Sequence, residues 1–215
     1  MIRSRPSGRV MSIPRFATEI RREQITQAAI ELIAAQGMTG FSVVQLARRV
    51  GVAPSAIYHH FKGKDEILDS VLDLIEHKLS TGVKAVLEKA RDPLDQLKQL
   101  LTAHARLVLG YSALPRVLFS EDLYGGNAAR KARLNGIIMN YLGEVSNIIR
   151  SGQEQHLIRA ELDPDTLAVM LLGLLQPTAI LWHLSDGRFD AARQVERAWP
   201  VFQEAICVRS KTDMQ

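Results

Sequence analysis

Ser55, Tyr58, His59 and Lys62 fall at i, i+3, i+4 and i+7, so on a helix they share one stripe. A hydroxyl, a phenol, an imidazole and an ammonium together offer donors, an aromatic face and a positive charge. Such groups reach phosphate oxygens and the edges of bases. Ile57 and Phe61, four residues apart, point the opposite way, toward a core. A solvated face is the plainer reading of any polar stripe. Here, however, no acidic residue occurs between Gln36 and Lys64, and an uncompensated positive stripe favours a polyanion.

Other chemistry finds little support. His59 and His60 are adjacent, so a helix sets them about 100° apart, a poor geometry for sharing a metal. One cysteine, Cys207, cannot build a cysteine-rich zinc site or an intrachain disulfide, and suits a reducing compartment. Gly125-Gly126 lacks the Lys-Ser/Thr that follows a phosphate-cradling loop, and no local signature places a nucleophile. The expectation is therefore no enzyme, no metal and no cofactor.

The elements that must hold the stripe are legible around it. Ser42 and Gln45 have the spacing of a capping box, and Val43, Leu46, Ala47 and Val50 then form one apolar face. Gly51 suits the left-handed position that ends this short helix, and Pro54 suits the first turn of the next, expected over 54–62. Two short helices joined by a tight glycine turn make a helix-turn-helix, whose second helix enters the major groove of DNA. A preceding helix, about 18–36, carries Ile25, Ala28, Ala29, Leu32 and Ile33 as the small core behind the pair, and Gly37 stops it. Arg21 and Arg22 near its start oppose the helix dipole, which points to a nearby phosphate. Residues 1–15 hold Arg3, Arg5, Arg9 and Arg15 among Ser, Pro and Gly and read as a disordered basic arm. That arm is either a solvated tail or a segment lying in the minor groove. Met11 is an alternative start.

With these residues in place, the run 22–68 resembles the DNA-binding domain of the TetR/AcrR family of bacterial transcription regulators. The matching positions are Ile25, Ala28, Ala29, Leu32, Gly37, Ser42, Leu46-Ala47, Gly51-Val52, Ile57-Tyr58-His59-His60-Phe61, Lys64 and Leu68. Ala53 departs from it, where the family usually has Ser or Thr, and so does Ser55, where Gly is frequent. The resemblance implies that Ser42, His60 and Lys64 contact phosphates while Ser55, Tyr58 and His59 lie nearest the bases. It also implies repression more often than activation.

Charge divides the chain of 215 residues. Residues 1–64 carry +7 and residues 65–215 carry −3, which places the polyanion at a basic head on a mildly acidic body. Strand-like alternation is scarce, so the fold class is all-α: an N-terminal three-helix head over 16–64 and a helical effector-binding and dimerisation body over 65–215. A helix from Lys64 to about Ala90 would span ~39 Å at the helical rise and join the two. The body follows with helices starting near Pro93, Pro115, Asn127, Pro164 and Asp190, and Pro177 should kink the fourth of these.

His104, Tyr111, Phe119 and Tyr141, with Gln176 and Trp182, interrupt otherwise aliphatic stripes. A mostly apolar cavity with a few convergent polar groups is how small-molecule sites are built, although each such residue alone could simply be satisfied within a core. No cluster of Lys or Arg lines these stripes, so the expected effector is neutral and largely apolar or aromatic. The run 167–184 is near the lower limit for a membrane span, and Gln176, Pro177, Thr178 and His183 interrupt it. It reads instead as a helix buried between subunits. Leu167, Leu171, Leu174, Leu175 and Leu181, with Val195, Trp199 and Phe202 on the last helix, are expected to form a homodimer interface. The resulting expectation is a cytoplasmic, dimeric repressor on a palindromic double-stranded operator, released by a small molecule. The alternative is an effector-independent DNA-binding protein with a structural role or a protein partner.

Overall fold

Five of the described helices start on a short polar side chain that accepts the backbone N–H three residues ahead. Ser42 takes it from Gln45 at 3.2 Å and Asp92 from Asp95 at 2.8 Å. Asn127 takes it from Arg130 at 2.9 Å, Asp163 from Thr166 at 2.8 Å, and Asp190 from Arg193 at 2.9 Å. Each bond satisfies one donor that a helix N-terminus otherwise leaves without a partner. The computed structural model describes residues 15–111, 117 and 127–208, and among these the chain is helical apart from turns and one isolated antiparallel bridge, Ile158 with Cys207. Residues 1–14 of the expected arm, and Phe119, lie outside the described residues.

The helices are α1 (Arg15–Gly40), α2 (Val43–Val50), α3 (Pro54–Tyr58), α4 (Lys64–Lys89), α5 (Pro93–Gly110), α6 (Ala128–Glu154), α7 (Pro164–Gly173), α8 (Gln176–Leu184) and α9 (Ala191–Ile206). Gly37 interrupts α1 at φ 69°, a left-handed conformation that glycine adopts without penalty. Pro177 does not kink a single helix as expected. The run breaks at Leu174–Leu175 and α8 restarts at Gln176, which puts Pro177 in a first turn where no N–H is needed.

Two cores hold these elements. The first joins Ile25, Ile30, Leu46, Ile57 and Phe61 of the head to Ile67, Leu68, Val71 and Leu72 of α4, with Leu134 and Ile137 of α6. It continues past residue 64 into α4 and α6, so the head shares its core with the body. The second core joins the far half of α4 to α5, α6, α7 and α9 through Val86, Leu97, Leu101, Ile149, Leu171 and Trp199. Alongside the first core, the start of α6 grips the first half of α4 by charge. Arg130, buried, donates to Asp69 at 2.8 Å and to Asp65 at 3.1 Å, while Arg133 reaches Asp73 at 2.5 Å and Glu76 at 3.1 Å.

The burial of α7 and α9 corrects the expected dimer surface. Leu167, Leu171, Leu175, Val195, Trp199 and Phe202 are each 5% exposed or less and pack inside the subunit, and Leu174 is half-buried. A side chain already enclosed by its own subunit cannot face a partner. Of the eight expected residues only Leu181 is exposed, together with Val169, Met170, Ile180, Leu184 and Val201, which the apolar periodicity does not single out.

Candidate nucleic-acid interface and effector cavity

The reading head turns on Gly51, whose φ of 76° lets its N–H return to the end of α2. Ala53 precedes α3 and makes no side-chain cap, as its departure from Ser or Thr leads one to expect. α3 is shorter than expected, ending at Tyr58 rather than Lys62. The N–H groups of His60 and Phe61 both bond to Ile57 O at 2.9 Å, closing the helix so that the Phe61 ring enters the core. Lys62 therefore sits in the turn before α4 and not on the helical stripe. Its N–H donates to Glu66 Oε2 at 2.7 Å, a cap made across the turn.

Exposure sorts the head residues. Ser42, Ser55, Tyr58, His59, Lys62 and Lys64 are exposed, Tyr58 to 55%, and Lys64 Nζ lies 5.5 Å from the centre of the Phe41 ring. His60 is half-buried, and burial together with Arg21 and Arg22 holds its pKa below the usual imidazole range. Arg22, expected beside a phosphate, is engaged internally instead. It donates to His60 O, pairs with Glu66 at 3.3 Å and lies 4.1 Å from the Phe61 ring centre. Sequence reading misses this role because the partners are 38 and 44 residues away. Arg21 remains exposed.

In the body, a cavity of about 120 Å³ lies among α4, α5, α6, α7 and α8. Ile75, Leu79, Val108, Leu134, Ile138, Leu172 and Leu175 make it apolar, and His104, Tyr141 and Gln176 are its polar wall. Three of the six expected ligand residues thus meet there. Tyr111 and Trp182 do not. Tyr111 lies at the end of α5, where its hydroxyl donates to Glu23 at 3.1 Å and Lys78 sits 5.8 Å over its ring. Trp182 is half-buried and packs beside Gly187, in the turn after α8. The fourth wall, from α7 and α8, has no marker in the sequence beyond Gln176.

His104 Nδ1 and Tyr141 Oη are 3.2 Å apart, with the rings edge-on at 5.3 Å between centres. Burial pushes the His104 pKa down to about 4 and raises that of Tyr141. His104 is thus neutral at physiological pH. An unfolded imidazole takes its proton near 6.5 and the folded one only near 4. The unfolded state therefore binds more protons between those values, and stability falls as the pH is lowered. From pH ~7 to ~5 this group alone should remove about 2 kcal/mol. Urea unfolding of wild type and His104→Leu at both pH values checks this. Equal losses in the two proteins would show that His104 is not held neutral.

Comparison with known proteins agrees with this layout. A model of bacterial regulatory proteins of the tetR family matches residues 25–71, and a model of the YsiA-like protein C-terminal region matches residues 63–205. The chain is 25% identical over 191 residues to the nucleoid occlusion factor SlmA of Vibrio atlanticus (strain LGP32), covering 86% of this chain and 95% of the relative. FadR of Bacillus subtilis, solved in complex with stearoyl-CoA, superposes with a TM-score of 0.70 at 25% identity, over 86% of this chain and 98% of that one. The ketosteroid transcriptional regulator KstR2 of Mycobacterium tuberculosis gives 0.73 at 19% identity, over 95% and 100%. At that identity the likeness is one of fold.

Proposed function

The chain belongs to the tetR family of bacterial regulatory proteins, a family of DNA-binding transcription regulators, and on that premise we propose that it is an effector-released repressor. In this reading the head, residues 16–64, binds a palindromic operator as half of a cytoplasmic homodimer, and the body, 65–215, holds the effector. Ser42, His60 and Lys64 contact phosphates, while Ser55, Tyr58 and His59 lie nearest the bases, with Lys62 adding charge at the rim. A single α3 of five residues covers few base pairs, and two-fold symmetry doubles the contacts. Only 28% of the apolar stretch Pro164–Trp182 is buried in the subunit, which supports a partner helix pair over it.

The observation that carries the effector is that one helix, α4, lines the cavity with Ile75 and Leu79 and enters the head core with Ile67 and Leu68. The cavity of about 120 Å³ is smaller than the ~300–1,000 Å³ usual for small-molecule sites. A ligand must therefore part α4 from its neighbours, and Arg130 and Arg133 pass that displacement to the first turns of α4. Coupling of ~1–3 kcal/mol is usual for such a shift. The relative FadR, solved with stearoyl-CoA, supports an effector with an apolar chain. SlmA, a nucleoid occlusion factor by name, favours the second reading, in which the protein binds many sites and no effector.

Selection of bound duplexes from a random pool tests the DNA side and returns the operator with its symmetry. On that operator, Tyr58→Ala and His59→Ala should each cost ~1–3 kcal/mol of specific binding. Lys64→Ala should weaken all sequences alike and lower the salt dependence. Unchanged operator affinity in the folded Tyr58/His59 double variant removes these residues from the interface. Enrichment of scattered sites without a palindrome, and no release by apolar compounds, would favour the second reading.

A further inference from the structure

The cavity wall is aliphatic except at Gln176, exposed at the start of α8, and at the contact between His104 and Tyr141. No Lys, Arg, Asp or Glu contributes to the wall among the described residues. Resting on the effector reading above, we infer that the site takes an apolar molecule carrying one uncharged hydrogen-bond acceptor, such as an ester carbonyl or a hydroxyl. That acceptor binds the His104–Tyr141 pair, and the free carboxylate of the same chain is refused.

A neutral imidazole and a phenol hold two hydrogens on nitrogen or oxygen between them, and their mutual bond uses one. If Tyr141 donates to Nδ1, the Nε2–H remains. If Nδ1–H donates to Tyr141, the phenolic O–H remains. Either tautomer leaves one donor, and no second hydrogen bond occupies the pair among the described residues. A single acceptor on the ligand completes the pair.

A carboxylate meets different conditions. It would leave water with no cation in the wall, and an unpaired charge in such a place neutralises or stays out. Binding only as the neutral acid uses the small protonated fraction left at neutral pH, a handicap of about a hundredfold or more. A phosphate-bearing head fares no better beyond Tyr141. There a second cavity, of about 210 Å³ between α4 and α6, offers Lys84 against Glu76 and Glu144, and Glu76 already holds Arg133.

Probes of one chain length separate these cases: methyl octanoate, octanol, octyl chloride, octanoate and octanoyl-CoA. Release of labelled operator from the wild-type dimer is followed by anisotropy, and binding by thermal shift. Methyl octanoate and octanol should act at concentrations about a hundredfold below octanoate, and threefold to tenfold below octyl chloride, as one neutral hydrogen bond allows. His104→Leu combined with Tyr141→Phe removes both hydrogens and should erase the preference for ester over chloride while the chloride still acts, whereas either single variant leaves one donor. His104→Phe with Tyr141→Phe, which keeps the aromatic volume at both positions, gives the same readout should the first double variant fail to fold. If octanoate or octanoyl-CoA matches the ester, the inference fails and the effector reading stands. Silence of every probe in both measurements overturns the effector reading, and the inference with it.

Discussion

Leu184→Arg combined with Val201→Arg should turn the dimer into a monomer and lower operator affinity by more than a hundredfold. Both side chains are over two-thirds exposed in the subunit, at 73% and 70%, so the change disturbs no packing within it. Across a two-fold axis each substitution appears twice. Four cations brought to an apolar interface without partners would cost several kcal/mol in desolvation alone. The monomer should keep its helical content, because both cores close within one subunit. Leu171→Arg is the contrasting case: at 3% exposed it should unfold the body rather than split the dimer. Sedimentation velocity at micromolar concentration, with circular dichroism, separates the two outcomes. A double variant that still sediments as a dimer would place the interface elsewhere.

That contrast shows what apolar spacing can and cannot reveal. A 3.6-residue stripe marks the face of a helix that is most completely surrounded, and in α7 and α9 that face belongs to the subunit core. Val169, Met170, Ile180 and Leu184 lie off the stripe, and only their exposure in the folded subunit distinguishes them. The head was more legible, since its caps, glycine turn and inward Ile57 and Phe61 are local signals. The end of α3 was not. Lys62 fits a helix as well as any residue, but α3 closes on Ile57 O before reaching it, and Glu66 takes its N–H across the turn. In the cavity, His104 and Tyr141 stood out as polar residues in aliphatic stripes, while Tyr111 has the same signature and goes to Glu23 instead. The clamp between α4 and α6 could have been read from Asp65, Asp69, Asp73 and Glu76 on one side of α4, facing Arg130 and Arg133. What no spacing reveals is that Arg130 becomes buried while its carboxylate partners remain solvated.

Phe61→Ala should be the most damaging single truncation in the head, lowering stability by about 3–5 kcal/mol, the usual range for losing a buried phenylalanine. Phe61 is 1% exposed, lies three residues past the end of α3 and anchors it to α1 and α4. Its loss removes more than apolar contact. The Arg22 guanidinium lies 4.1 Å from the ring centre and, from that position, also holds His60 O and Glu66. Without the ring, a five-residue helix has no means of holding its own shape, since helices so short are unstable alone. Operator binding should therefore vanish although Tyr58, His59 and Lys64 are all present. The second core does not include Phe61, so the body should persist. Hydrogen exchange should show amide protection lost across α1, α2 and α3 and kept in α5, α6 and α9. Phe61→Leu, which restores most of the volume, should recover a large part of the stability and the binding. An alanine variant that binds the operator within threefold of wild type would mean that the reading helix is positioned by something other than this core.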